Sequence, residues 1–194
     1  TIIGSFAQLI ITGFLGLLGL LYYIKFIAVT PWLMVLMISS VLLCATLGYV
    51  YFHLDKIVDF LRTIPLLKKT LLYLEIVRRF DRSQLLKILF YSLLRYVIYT
   101  IQFFLLLKLL NVNGPALDII LTIWLIFWAM AIVPTIAIAE IAIRGETALF
   151  FLLPICQNEI GILSSTLLLW VINLIIPSLV GCLFAYKIKI YDNE

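Results

Sequence analysis

Histidine is almost absent from this chain, since His53 is the only one. The three cysteines, Cys44, Cys156 and Cys182, lie in apolar segments and show no CxxC spacing. Histidine-based metal binding and proton relays are therefore excluded, and we interpret the cysteines as buried or lipid-facing side chains. The sequence also lacks a Ser-His-Asp set, a P-loop and a dinucleotide-binding glycine fingerprint. It predicts no catalytic residue, no metal site and no cofactor.

Charge is scarce as well. Only 12% of the 194 residues are charged and 65% are hydrophobic, with a mean hydropathy of +1.21. A soluble domain is roughly 45 to 50% apolar. The sequence therefore predicts an integral membrane protein of the all-α class, a polytopic helical transmembrane bundle. The net charge of +4 does not indicate a nucleic-acid partner, because the basic residues lie in a block beside the membrane and no soluble domain carries them.

The chain begins at Thr1 and enters a hydrophobic stretch almost at once, without a charged n-region or a cleavage site. We therefore expect it to be the remaining part of a longer protein that lacks its N-terminal part. A missing first half could hold half of any site.

Five apolar segments have the length and hydropathy of membrane spans, which need about 20 residues to cross a hydrocarbon core about 30 Å thick. They lie at about 2–23, 31–52, 85–110, 116–133 and 160–186. In the last segment, Asn173 and Pro177 are one turn apart and indicate a kink.

Three glycines recur every third residue in the first span, at Gly13, Gly16 and Gly19. Such a strip of small residues allows another helix to approach closely. The alternative is that the glycines are merely tolerated, as they often are in membrane helices.

Residues 53–83 combine apolar positions at helical spacing with many charges, and Pro65 divides them. We expect a pair of interfacial amphipathic helices in the headgroup layer, whose basic side chains reach anionic lipid. These contacts are assigned to Lys68, Lys69, Arg78, Arg79 and Arg82. A solvated loop is the alternative. In either case the positive-inside rule places the basic stretch 53–95 in the cytoplasm, and Lys187 and Lys189 place the C-terminus there too.

Residues 134–159 hold the charges that a membrane span should not contain. The chain must cross from an outside turn at 111–115 to an inside C-terminus, so this region must supply one crossing. Glu140, Arg144 and the breaker Gly145 interrupt it, which predicts a broken helix with two halves meeting near Arg144 and Gly145. The alternative is a re-entrant hairpin that returns to the same side.

Glu140 and Arg144 have the i, i+4 spacing of a favourable helical ion pair. A charged side chain at mid-depth in a bilayer costs roughly 2.5 to 3.5 kcal/mol, so such residues mark protected sites. We predict that Arg144, Glu140 and Glu146 bind an anionic group, with the Arg144 guanidinium on phosphate. A structural ion pair is the alternative. Arg95, two turns into the third span, either extends back to the headgroups or points inward to Glu140 or Glu146.

The stretch from Pro134 through Glu146, followed by Ala148-Leu-Phe-Phe151 and Leu-Leu-Leu-Trp170-Val-Ile-Asn173-Leu-Ile-Ile-Pro177, resembles a known family. It is similar to the C-terminal half of the transmembrane region of lysylphosphatidylglycerol synthases and related flippase-like proteins. Arg144 matches the motif arginine. Ala139, Glu140 and Ala142 stand where the family has glycines, and Gly145 separates the arginine from Glu146.

The resemblance implies a helical membrane domain with re-entrant segments that moves aminoacylated or other phospholipids between leaflets. The soluble aminoacyl-transferring domain is not in this chain, so lipid aminoacylation is not implied. We therefore expect a flippase-like protein of a bacterial inner membrane, not an enzyme, that binds a phospholipid by its anionic headgroup. The alternative is a non-transporting membrane subunit that docks a partner protein or a second copy of itself. A lipid-modifying enzyme would need catalytic residues in the missing part.

Overall fold

A computed structural model of the chain describes residues 2–27, 31–52, 82–132 and 137–191. The predicted interfacial stretch lies outside these residues up to position 81, and with it Lys68, Lys69, Arg78 and Arg79. The backbone of Arg82 begins a helix, but its side chain is not described.

The described residues form helices joined by short turns, with no strand among them, and the predicted all-α class is confirmed. The helices, numbered in chain order, are α1 (Ile2–Phe26), α2 (Pro31–Phe52), α3 (Arg82–Leu109), α4 (Ala116–Ile132), α5 (Ala137–Leu152), α6 (Glu159–Trp170) and α7 (Ile176–Tyr191), with a π-helical segment at Val171–Ile175 between α6 and α7.

Four stretches are long and apolar enough to cross a membrane: Ile3–Phe26, Leu33–Tyr51, Ser83–Leu109 and Glu159–Cys182. The shortest has 19 residues and the longest 27, close to or above the roughly 20 residues that a span needs. Helices α4 and α5 have 17 and 16 residues, so each is only about 25 Å long. The fourth predicted span is therefore shorter than the others.

One end of the bundle is fastened by Asn158. Its Nδ2 donates to the Leu110 carbonyl oxygen at 3.0 Å, which ties the turn after α3 to the turn before α6. Its Oδ1 accepts a backbone N–H in the first turn of α6 and caps that helix. Tyr22 donates to Asp118 Oδ1 at 2.7 Å, so α1 ends and α4 begins here. We call this the Asn158 end.

The opposite end is fastened by Tyr51. Its hydroxyl donates to the Leu85 carbonyl oxygen at 2.9 Å, and its ring lies against that of Phe6 with centroids 6.2 Å apart. The start of α1, the end of α2 and the start of α3 therefore meet at this Tyr51 end. By these contacts, α1, α3 and α5 run toward the Asn158 end, and α2, α4 and α6 run away from it.

The glycine strip of α1 lies against helices of the same chain, which confirms the predicted close approach. A Cβ added at Gly16 would lie 2.2 Å from the Cβ of Trp128, and one at Gly19 would lie 2.4 Å from the Leu121 carbonyl oxygen, both in α4. A Cβ at Gly13 would lie 2.6 Å from Cys44 Sγ in α2. Only a residue without a side chain allows backbones to approach this closely.

The predicted break near Arg144 and Gly145 is wrong, because α5 is continuous from Ala137 to Leu152. Gly145 is buried, and a Cβ there would lie 3.0 Å from Leu163 Cδ2 in α6. The glycine therefore serves helix packing and not a break. The α4–α5 connection at 133–136, including the predicted breaker Pro134, lies outside the described residues.

The region predicted to kink contains the π-helical segment Val171–Ile175. Pro177 has no N–H to offer the carbonyl of Asn173, and its ring crowds that carbonyl. The helix accommodates it by widening one turn, since the Ile176 N–H donates to the Val171 oxygen five residues back. The segment thereby joins α6 and α7 without interrupting the helix.

Candidate functional site

A partly open cavity of about 370 Å³ lies between α1, α3, α4, α5, the end of α6 and the π-helical segment. We call it the central cavity. Arg95 and Asn173 each lie about 21 Å from the Asn158 end, counted along their helices at 1.5 Å per residue. Arg95 therefore lies near the midpoint of the apolar stretch Ser83–Leu109, and Asn173 lies in the second half of the stretch Glu159–Cys182. The charged and polar residues that line the central cavity include Gln8, Thr12, Arg95, Tyr99, Glu140 and Arg144.

Glu140 and Arg144 form the ion pair that their spacing predicts. Arg144 Nη2 lies 2.5 Å from Glu140 Oε1, and about a quarter of each side chain is exposed. The two residues lie in the first half of α5, where the continuous helix places both on one face. Both side chains line the central cavity.

Arg95 lines the same cavity from α3. Its Nε and Nη2 donate to the Tyr99 hydroxyl at 3.3 and 3.2 Å, and its guanidinium lies 5.3 Å from the centroid of the Tyr99 ring. Within the part of the chain that the structure describes, it forms no ion pair with Glu140 or Glu146. The central cavity thus holds two guanidinium groups and one carboxylate.

Two further buried donors lie beside the central cavity. Arg144 Nε and Trp170 Nε1 are buried, and neither has a hydrogen-bond partner among the described residues. Both side chains line the central cavity. An unsatisfied buried donor costs roughly 1 to 3 kcal/mol, so both donors favour an acceptor oxygen in the cavity, from water or from a ligand.

Asn173 was predicted only as part of a kink, and the structure adds it to the cavity lining. Its Nδ2 donates to Gln102 Oε1 and to the Leu169 carbonyl oxygen, both at 3.0 Å. Sequence reasoning also missed Gln8, Thr12 and Trp170, because it followed charges and breakers. The signal that could have found Gln8 is an uncharged polar side chain within an apolar span.

Glu146 is not brought to this site. It is exposed, it is not among the residues that line the cavity, and it forms no ion pair with the described residues. Residues two positions apart in an α-helix point about 200° away from each other around the helix axis. A continuous α5 therefore places Glu146 on the face opposite Arg144. A break at Gly145 would have removed this restriction.

The described side chains contain no group of three or more histidine, cysteine or acidic residues that could hold a metal ion. Cys156, at the Asn158 end, is buried in the turn after α5. Burial raises the pKa of its thiol above the usual value, with Lys108 lowering it and Asp118 raising it. This thiol is therefore a poor nucleophile and is distant from the central cavity along α5.

Comparisons of the chain with models of protein families, with curated proteins and with solved structures found no significant match.

Proposed function

We propose that this chain is a flippase-like membrane transporter that binds the anionic headgroup of a phospholipid in the central cavity. The observation that carries the proposal is the charge of this cavity: Arg95 and Arg144 face a single carboxylate, Glu140, at mid-depth in an apolar bundle. Charges at this depth are costly, and those that persist belong to substrate or ion pathways.

The donors favour a phosphate over a cation. Arg144 keeps one guanidinium edge on Glu140, while its Nε and the indole N–H of Trp170 have no acceptor in the described part of the chain. A phosphate offers several acceptor oxygens, and a guanidinium fork matches its geometry. Glu140 reduces the net charge of the cavity to one positive charge, which one phosphate monoanion neutralises.

The size of the cavity supports a headgroup and not a whole lipid. Ligand cavities typically measure roughly 300 to 1,000 Å³, and this one lies at the lower limit of that range. A glycerol phosphate group fits such a space, whereas two acyl chains do not. We therefore propose that the chains stay in the bilayer while the headgroup occupies the cavity.

The short α4–α5 pair provides the moving element of this proposal. Both helices start or end at the Asn158 end and are about 25 Å long, so we propose that they form a re-entrant pair. Their far ends line the central cavity through Met130, Ala131 and Glu140, and alternating exposure of the cavity to the two leaflets would follow from movement of these helix ends. We further propose that the basic stretch 53–95 and the C-terminus lie on the cytoplasmic side of a bacterial inner membrane.

A non-transporting subunit remains a second proposal, and one observation favours it. Glu146 is an exposed carboxylate about 9 Å along α5 from its last residue, which suits a face covered by a partner helix. The glycine strip of α1 does not support docking of a partner helix, because α2 and α4 of the same chain already cover it.

Lipid binding tests the proposal. Native mass spectrometry in detergent would compare phosphatidylglycerol with phosphatidylcholine on the wild-type chain and on Arg95→Gln, Arg144→Gln and Lys87→Gln. The last is a matched control, because Lys87 is an exposed cation on α3 outside the central cavity. We expect each arginine variant to weaken phosphatidylglycerol binding by about tenfold or more, since a charge-assisted hydrogen bond is worth roughly 1.5 to 3 kcal/mol. Equal binding by all four chains would refute the proposal.

A further inference from the structure

A second cavity, of about 650 Å³, lies between the first halves of α1 and α3. We call it the α1–α3 groove. Gly4, Ser5 and Ser92 line it, and it shares Gln8, Arg95 and Tyr99 with the central cavity. The two cavities therefore meet at Gln8 and Arg95.

The lining residues follow one face of each helix. In α1, Gly4, Gln8 and Thr12 are four residues apart, and in α3, Ser92, Arg95 and Tyr99 follow at spacings of three and four. Residues at these spacings share a helix face. A polar path therefore begins near the Tyr51 end and continues about 12 Å along α1, from Gly4 to Thr12, into the central cavity.

The groove combines an open wall with a buried one. Tyr91 is 68% exposed, whereas Ser92 is only 7% exposed. A Cβ built at Gly4 would have nothing within 4 Å, so there is open space at the end of the groove nearest to the Tyr51 end. Such a shape allows a polar group to pass along the groove while a hydrocarbon tail stays outside.

We infer that the α1–α3 groove is the access path by which the phosphate-bearing headgroup of a glycerophospholipid enters from the leaflet at the Tyr51 end. Arg95, where the two cavities meet, contacts the phosphate first and passes it to Arg144. By the predicted orientation, this leaflet is the cytoplasmic one. The inference rests on the proposed function and adds to it the path by which the headgroup enters and the leaflet from which it comes.

Thiol labelling tests the route without requiring transport. Ser92→Cys and Thr100→Cys would be made in a chain whose own cysteines are alanine. Both positions are buried hydroxyl residues of α3, but Thr100 lines neither cavity. We expect a charged methanethiosulfonate reagent to label position 92 at least about tenfold faster than position 100, with glycerol 3-phosphate slowing the labelling. A tenfold rate difference corresponds to about 1.4 kcal/mol. Equal rates, or labelling that glycerol 3-phosphate leaves unchanged, would overturn the inference.

Blocking the groove tests its use. Gly4→Leu fills the groove, and Gly48→Leu is its matched control, because a Cβ at Gly48 in α2 also meets nothing within 4 Å. In proteoliposomes we expect Gly4→Leu to slow phosphatidylglycerol translocation by about tenfold or more relative to Gly48→Leu, a barrier change of about 1.4 kcal/mol. If the two variants are equally fast while Arg144→Gln is slow, the route is wrong and the proposed function stands. If Arg144→Gln is also as fast as the wild type, the proposed function fails with it.

Discussion

Replacing Gly16 by alanine places a methyl carbon 2.2 Å from the Cβ and 2.4 Å from the Cγ of Trp128. Ordinary contacts between carbon atoms lie at roughly 3.5 to 4.0 Å, so α1 and α4 must separate by about 1 Å or more. Trp128 is only 4% exposed, and its Cβ cannot move unless the backbone of α4 moves. The methyl group therefore disrupts the packing of α1 against α4.

The magnitude combines two opposing effects. Overpacking typically costs about 1 to 3 kcal/mol, and a backbone-linked partner at this distance favours the upper limit. Alanine gains about 1 kcal/mol over glycine from helix propensity. We therefore expect Gly16→Ala to lower the free energy of unfolding by about 2 kcal/mol. Gly48→Ala, where the added Cβ meets nothing within 4 Å, should raise it by up to about 1 kcal/mol.

Equilibrium unfolding in mixed detergent micelles, followed by circular dichroism, measures the difference between these two variants. The expected gap is about 3 kcal/mol in favour of Gly48→Ala. Equal stabilities would refute the conclusion that α1 and α4 approach through Gly16.

Three further predictions concern the ion pair and the Asn158 end. Glu140→Gln and Arg144→Gln should each destabilise the bundle. A double-mutant cycle should give a coupling free energy of about 1 kcal/mol, above the roughly 0.3 to 0.5 kcal/mol of exposed helical pairs. A coupling near zero would show that the ion pair does not stabilise the bundle. Asn158→Ala should cost about 2 kcal/mol, because it removes the α6 cap and the bond to Leu110; a thermal denaturation midpoint equal to that of the wild type would argue against this role. In a chain with Cys156 as its single cysteine, N-ethylmaleimide should react slowly near pH 7 and faster as the pH rises toward the raised pKa of the thiol. A reaction rate in the folded protein equal to the rate in SDS would disprove the burial of this thiol.

Four of the five predicted spans are helices long and apolar enough to cross a membrane, and they were predictable because a membrane helix depends on apolar length more than on its neighbours. The Glu140–Arg144 pair was predictable for a similar reason, since both partners lie within one turn of one helix. The glycine strip of α1 could be recognised as a contact surface, but the sequence could not show that α2 and α4 of the same chain occupy it.

The structural role of Gly145 could not be predicted from the sequence, because a glycine in a membrane helix either interrupts the helix or allows another helix to pack closely. What decides between them is Leu163 of α6, which lies beside it only in the folded bundle. The central cavity was hidden for the same reason. It joins Gln8 to Arg144 across most of the chain, and no local pattern links them.

We propose that Arg95 and Arg144 bind the headgroup of a lipid that the protein moves across the membrane. Dithionite quenching of fluorescent phosphatidylglycerol in proteoliposomes measures this movement. The wild-type chain and Lys87→Gln should expose the protected inner-leaflet lipid to quenching, whereas Arg95→Gln combined with Arg144→Gln should leave it protected, as in vesicles without protein. Translocation by the double variant at the wild-type rate would contradict the role of the two arginines, and no translocation by the wild-type chain would contradict lipid transport.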